Sequence, residues 1–434
     1  MTTSFRTDNS VVERLLKEVK HAKGVSTDTR ETLEGLVFWA LRGERFDGND
    51  FVEAALEQGA AHVVSDRAHW NAESRVTVVE DVLDALQATA RSLRRTWDCP
   101  VLALTGSNGK TTTKELIRDV LAEGLEVHAT SGNFNNHIGV PLTLLGAPAH
   151  PEFVVVEMGA NHQQEISLLC TITEPSHGCI TNIGLAHLEG FRGEEGVYKG
   201  KKELFDHIAA TNGAAFVNMG DPKVVRAAEQ VDRQVTISSD GWQWNRSAGE
   251  GPATVRCPSG ASFEVNLEGD YNLINVVIAW SVGRHFGIAE ALCTQALSAY
   301  LPSNHRSQVV HTKRNWVLLD AYNANPSSVT QAVASFATTG HMRPLVVLGD
   351  MGELGEASEK AHRHVVEDTL GRGLELWTVG TEFGRIPVQN DQARTHFDNL
   401  DALVAQVEEN PTTGCQILVK GSRSAGLEKL MPYL

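Results

Sequence analysis

Several things are missing from this chain of 434 residues. None of its six cysteines (Cys99, Cys170, Cys179, Cys257, Cys293, Cys415) falls in a C-x-x-C pair. Metal-clip and redox-motif chemistries therefore have no support, and reduced, buried thiols are expected. No run of about 18 apolar residues occurs, so no stable membrane insertion is expected. The opening "MTTSFRTDNSVVERLL" lacks the apolar core of a secretory signal, which makes a cytoplasmic protein the expectation. Basic charge is also short: 38 Lys and Arg stand against 54 Asp and Glu, a formal net charge of −16. That balance argues against a nucleic-acid partner, which calls for a basic footprint. An anionic substrate stays compatible, because local cations and backbone N–H groups can hold one. Internal repeats and low-complexity tracts are absent too.

What is present is ordinary globular composition, 41% hydrophobic and 21% charged. The length suits several domains. Residues 1–98 hold short strand-like runs, "LVFWAL", "GAAHVVSD" and "RVTVVED", with helical stretches such as "DVLDALQATARSLRRTW". "DCP" at 98–100 marks a junction. In residues 99–308, "VLALTG" leads to a helix from Lys110, "EFVVVEMGA" to one from Glu165, and "GCITNIG" to one near Gly196. Apolar runs alternating with helices predict a mainly parallel sheet covered on both faces. Between Val235 and Asn266, "QVTISSDG", "ATVRCP" and "SFEVNL" predict an antiparallel insert, and a helix near Asn272 follows. Residues 309–434 carry "WVLLDAY", "PLVVLGD", "LELWTVG" and "CQILVKG" between helical stretches, a second open α/β sheet. The fold class is α/β.

The stretch "TGSNGKTTT" directly follows the run "VLAL". It is one residue short of the pattern G-x-x-x-x-G-K-[ST], whose first glycine would fall where Leu104 stands. A strand ending at Leu104 and a helix from Lys110 still aim backbone N–H groups at the turn. A lysine beside a helix N-terminus favours phosphate oxygens. Thr111 or Thr112 can present a hydroxyl to Mg²⁺. The plain alternative is a glycine-rich turn without a ligand. Glu157 ends the apolar run of "VVVEMGANHQQEI", where an acid either binds a cation or forms a buried salt bridge. His187, in "CITNIGLAHLEGF", and Lys201, in "YKGKKELFD", carry no chemistry by composition alone. Asn272, Asn275, Arg306, Asp320 and Asn323 cluster around the second junction, which suits a ligand cleft. Turn chemistry and capping explain much of "NANPSS" equally well.

Taken in order, "TGSNGKTTT", "GNFNNHIGVPLTLL", "VVEMGANHQQEI", "ITNIGLAHLEGF", "DAYNANPSS", "VLGDMGELG" and "LVKGSRS" resemble the Mur ligase family over nearly the whole chain. The short phosphate loop is also shared with folylpolyglutamate synthases. "FNNHIGVP", "YNANP" and "GDMGELG" are more specific, and resemble the members that join D-alanyl-D-alanine to a UDP-N-acetylmuramoyl-tripeptide. The resemblance implies three domains: residues 1–98 for the UDP-sugar, 99–308 a central P-loop ATPase-like domain, and 309–434 a Rossmann-like domain. It implies ATP, Mg²⁺ at two sites, and a bacterial, cytoplasmic ligase of peptidoglycan synthesis that works through an acyl phosphate. The alternatives within the resemblance are a Mur ligase adding a single amino acid and a folylpolyglutamate synthase-like ligase.

Residue by residue, the resemblance implies that Thr105, Gly106, Ser107, Asn108, Gly109, Lys110, Thr111 and Thr112 bind ATP. Asn272, Arg306 and Asp320 complete the nucleotide site. Thr111, Glu157, His187 and Lys201, the last as a carbamate, are implied as metal ligands, and Lys110, Glu157, His187 and Lys201 as the catalytic set. Ser26, Thr27, Asp28 and Arg30 fall in the UDP-sugar motif. Asn133, Asn135, Asn136 and His137 are implied to face the muramoyl peptide, and Asn323 is implied to bind substrate. Lys202 stands where glycine is usual, and Tyr271 where histidine is often found.

Overall fold

The computed structural model describes residues 5–246, 251–302, 306–338, 340, 342–387 and 393–434. The Ser-Asn-His part of "SNHRSQ" lies outside them. The first sheet is small: β1 (Gly24–Ser26), β2 (Leu36–Trp39), β3 (His62–Ser65) and β4 (Val76–Val78) pair in that order, all parallel. A helix, Val82–Arg94, then carries the chain out. Asp81 caps its start by accepting the N–H groups of Leu83 and Asp84, which satisfies two of the orphan donors of a first turn. Its buried face, with Ala85, Leu86 and Leu93, packs into one apolar core with Val101, Val154 and Ile180 of the next sheet.

That sheet consists of β5 (Val101–Thr105), β6 (Val127–Ala129), β7 (Phe153–Glu157), β8 (His177–Ile180), β9 (Ala214–Asn218) and β10 (Arg233–Ile237). The order is β10-β9-β8-β5-β7-β6, and every pair is parallel. The chain leaves β5 toward β6 and β7 on one side, then returns to build β8, β9 and β10 on the other. The carboxyl end of β5 is therefore a topological switch point, where crevices open in such sheets. β5 and β7 are buried at every residue, as continuous apolar runs demand.

One expectation needs correcting. "QVTISSDG" does not begin the antiparallel insert; Arg233–Ile237 is β10, an edge strand parallel to β9. Its mixed exposure gives a polar–apolar pattern that sequence alone cannot separate from an antiparallel strand. The insert is β11 (Gln243–Asn245), β12 (Ala253–Arg256) and β13 (Ser262–Val265), a three-stranded antiparallel sheet.

The last sheet contains β14 (Gln308–His311), β15 (Trp316–Asp320), β16 (Pro344–Gly349), β17 (Glu375–Val379), β18 (Arg394–Phe397) and β19 (Gln416–Lys420). Its order is β14-β15-β19-β16-β17-β18, parallel except for β14 against β15. The edge strands β14 and β18 are the two that the apolar runs did not announce. Short, polar sequences are normal for strands with a solvent-facing edge.

At the end of the Val82–Arg94 helix, Arg94 donates to the carbonyls of Thr173 (2.9 Å), Glu174 (3.1 Å) and Trp97 (3.2 Å). Arg91 and Arg95 hold the Glu174 carboxylate beside it. Arg94→Ala strands these carbonyls, and losses of this kind cost about 1–3 kcal/mol. A lowered urea midpoint with an unchanged slope is the expected result.

Candidate active site

Thr105 ends β5 with its hydroxyl donated to the Met158 carbonyl, 2.8 Å away. The chain then runs so close to the end of β8 that a Cβ on Gly106 would lie 1.9 Å from Thr181 Oγ1. Ser107 N–H donates to the Asn182 carbonyl and Asn108 N–H to Asn182 Oδ1, each at 3.0 Å. Gly109 takes φ +76°, and a Cβ there would meet Asn275 Oδ1 at 2.6 Å. The first bond of the Lys110–Ala122 helix runs from Thr113 N–H to the Gly109 carbonyl. The N–H groups of Lys110, Thr111 and Thr112 therefore precede the helical ladder and point out of its positive end. This is an anion cradle made of backbone. Lys110 Nζ donates to the carbonyls of Gly106 (2.8 Å) and Ser107 (3.4 Å). Burial pushes this ammonium below the ordinary lysine value, against the pull of Glu157.

The cradle opens on a cleft of about 970 Å³ whose lining includes Lys110, Thr111, Glu157, His187, Asn272, Arg306, Asp320 and Asn323. Glu157 ends β7 at 1% exposure. Its Oε1 accepts from Asn135 Nδ2 at 2.8 Å, and its Oε2 is buried without a hydrogen-bond partner. A buried carboxylate oxygen left unpaired is costly unless a cation completes it. With the Thr111 hydroxyl in the same lining, the donors are hard oxygens of the kind Mg²⁺ takes, so the residues present fit the metal. Among the described residues no group of three or more His, Cys, Asp or Glu converges on one point. A metal here needs donors beyond those residue types.

His187 Nδ1 is bonded to the Glu353 carboxylate of the last unit. Lys201 is fully buried, with Nζ 3.4 Å from the Ala160 carbonyl and 5.2 Å from the Phe191 ring centroid. Burial holds it well below the ordinary lysine value, and the charge of Lys110 adds to the effect. Its neighbour Lys202 pairs with Asp206 one helical turn on, so Lys201 is the lysine on the inner face. Glu203, beside them, takes the backbone N–H groups of Gln164 and Ser167.

Asn272 lies in a polar net. It accepts from Asn275 Nδ2 (2.8 Å) and donates to the Glu268 carbonyl (2.6 Å), while Thr113 Oγ1 donates to Asn275 (3.0 Å). Arg306 stacks its guanidinium 3.6 Å from the Tyr322 ring centroid, with Nε unpaired. Asp320 receives Lys420 Nζ at 2.5 Å, and that ammonium also reaches the Asn323 carbonyl. Asn136 and His137 line the cleft as well, although Asn136 Oδ1 caps the following helix by accepting from Ile138 and Gly139. Asn133 is exposed on the same loop, outside the lining. Ser26, Thr27, Asp28 and Arg30 stand apart from the cleft at the exit of β1, where Arg30 grips the Asp28 carboxylate and holds it at about 2. The sequence reading left out Asn182, Tyr322, Lys420 and Glu353 as site residues. It also left out Asn325, whose Nδ2 donates to Asn108 Oδ1 at 2.8 Å across two units.

The Mur ligase middle domain pattern matches residues 104–283, the Mur ligase glutamate ligase domain 305–423, and the Mur ligase family catalytic domain 21–94. The chain belongs to the Mur ligase family. A UDP-N-acetylmuramoyl-tripeptide–D-alanyl-D-alanine ligase from Bacillus subtilis is 33% identical over 425 residues, covering 95% of this chain and 93% of its own. The crystal structure of MurF from Acinetobacter baumannii superposes with TM-score 0.83 at 27% identity, over 97% of each chain. MurF ligase from Thermotoga maritima in complex with ADP gives TM-score 0.83 at 26% identity, over 96% of this chain and 97% of its own. As a Mur ligase this protein is an ATP-dependent enzyme that forms a carbon–nitrogen bond.

Gly106→Ala tests the cradle. The added methyl cannot coexist with Thr181 in the present loop. ADP affinity measured by calorimetry is expected to fall by more than about tenfold, or 1.4 kcal/mol.

Proposed function

We propose that this Mur ligase joins D-alanyl-D-alanine to UDP-N-acetylmuramoyl-tripeptide, completing the pentapeptide precursor of peptidoglycan in the bacterial cytoplasm. Through that product it serves cell-wall building, cell shape and division. The observation that carries the reading is the meeting, in one cleft, of a backbone phosphate cradle, Lys110 and the unpaired Glu157 oxygen with Arg306 and Asp320 from the last junction. The B. subtilis relative that bears this activity in its name aligns over nearly the whole chain.

A carboxylate has a poor leaving group and does not condense with an amine at useful rates. Moving the γ-phosphoryl group of ATP onto the tripeptide carboxylate gives an acyl phosphate and ADP. The amine of D-alanyl-D-alanine then attacks the acyl carbon, and phosphate leaves as the amide forms. For such a transfer the protein contributes positioning and charge stabilisation. The loop N–H groups and Lys110 are placed for the β- and γ-phosphates. Asn272, Arg306 and Asp320 are the groups for the rest of the nucleotide. Ser26, Thr27, Asp28 and Arg30 serve the UDP-sugar; Asn133, Asn136, His137 and Asn323 serve the peptide and amine; and Asn135 steers Glu157. Mg²⁺, when bound, neutralises phosphate oxygens. Thr111 and Glu157 would hold one ion, and His187 with Lys201 a second.

Lys201 suits carbamylation because the reaction needs a neutral amine, and its burial beside Lys110 favours one. Addition of CO₂ to Nζ with loss of a proton turns a cation into an oxygen donor.

ADP release measured with the tripeptide substrate, with and without D-alanyl-D-alanine, tests the reaction. Amine-dependent turnover is expected. Turnover with a single amino acid or with a folate substrate would replace this reading with one of its rivals. Lys110→Ala is expected to remain folded by circular dichroism while kcat drops about 10²–10³-fold, the usual loss for an electrostatic group of this kind. Lys201→Ala is expected to lose a comparable factor and to recover part of it with formate or acetate. Full activity without the lysine would remove the carbamate from the reading.

A further inference from the structure

His187 and Glu353 face each other across two units. His187 closes the loop after β8, and Glu353 lies in the "GDMGELG" turn after β16. Both are non-glycine residues in left-handed backbone, with φ +51° and +60°. Such a conformation is unfavourable for a residue with a Cβ and persists only where its surroundings enforce it. Here each segment is pinned by the other. The Glu353 carboxylate bonds His187 Nδ1, and Glu189 N–H donates to the Glu353 carbonyl at 3.1 Å. Gly355, at φ +53°, brings the turn so close that a Cβ would stand 3.3 Å from the Glu189 side chain. An isolated surface ion pair contributes little. This contact combines a side-chain bond, a backbone bond and two enforced backbone conformations.

An ionised carboxylate only accepts hydrogen bonds, so the bond fixes a proton on Nδ1, and in the neutral ring this leaves Nε2 as the acceptor. A carboxylate behind a histidine is the usual device for fixing ring orientation and tautomer. We propose that Glu353 is a positioning residue: through it the last unit orients His187, so the central site is complete only when the two units are joined. The proposal rests on the ligase reading for the work His187 does in the cleft.

The test compares Glu353→Ala and Glu353→Gln in the full-length protein. The ¹⁵N spectrum of His187, identified by difference against His187→Gln, reads the tautomer in the ADP-bound protein whether or not any substrate is turned over. In wild type a protonated Nδ1 is expected; Glu353→Ala loses that signature, and Glu353→Gln, whose amide oxygen still accepts, keeps it. ADP affinity and KM for D-alanyl-D-alanine are expected to stay within about threefold. The kcat is expected to fall about 10–100-fold in Glu353→Ala, the scale of lost support behind a working histidine, and to be largely restored in Glu353→Gln. A His187 spectrum indifferent to both substitutions overturns the proposal, as does a Glu353→Ala enzyme with wild-type kcat. If wild type ligates no D-alanyl-D-alanine, the functional reading fails while the spectrum still decides the positioning.

Discussion

Gly106 packs against Thr181 at a separation that no Cβ could share, and this contact sets the level at which the chain turns out of β5 into the Lys110–Ala122 helix. Because β5 sits between β7 and β8, the turn emerges at the switch point of the sheet, beside the ends of both neighbours. Glu157 at the end of β7 and Asn182 just past β8 therefore flank the loop without further design. The loop is one residue shorter than the common phosphate-binding pattern, with Leu104 buried in the strand where a glycine would otherwise begin the turn. The backbone N–H groups still face the cleft because the helix start, set by Gly109, supplies them.

The cleft mixes cations with carboxylates inside an acidic molecule. A net −16 repels anionic ligands at long range, but salt screens exposed charges beyond about 8 Å at physiological ionic strength. Inside the cleft the dielectric is lower and local groups dominate. Lys110, Arg306 and Lys420 line it together with Glu157, Glu165, Asp221 and Asp320. Burial chiefly lowers the proton affinity of Lys110 and Lys201, and a cationic neighbour adds to it, Arg306 for the first and Lys110 for the second. An entering phosphate would strengthen the charged form of Lys110. Lys201, which feels Lys110 as a like charge, is pushed the other way.

Much of this was legible in the sequence because it is local. "TGSNGKTTT" carries its strand, turn and helix start within nine residues, and Glu157 announces itself as an acid at the end of an apolar run. The partners of those residues were not legible. Asp320 meets Lys420 across 100 positions, His187 meets Glu353 across 166, and Asn108 meets Asn325 across 217. Such pairs are set by strand order and by the seating of one unit on another, and no spacing rule reaches that far. The edge strands β14 and β18 escaped, and β10 was given to the wrong sheet, for a different reason. A half-exposed strand has neither the continuous apolar run of a buried parallel strand nor a fixed alternation, so its pattern does not identify its partner.

The division of the site between units has a chemical consequence. Lys110, Thr111 and Glu157 belong to the central unit, whereas Asp320, Asn323, Asn325 and Lys420 belong to the last one, and Asn108 with Asn325 joins the loop itself to that side. An acyl phosphate is open to hydrolysis, so forming it in a half-built cleft would waste ATP. The Asn108–Asn325 bond ties the cradle loop to the last unit. Sites that carry such intermediates exclude water from them. The Arg306–Tyr322 stack lies at the same seam, with a guanidinium whose Nε is still unpaired. A polar ligand in the cleft would give that donor an acceptor.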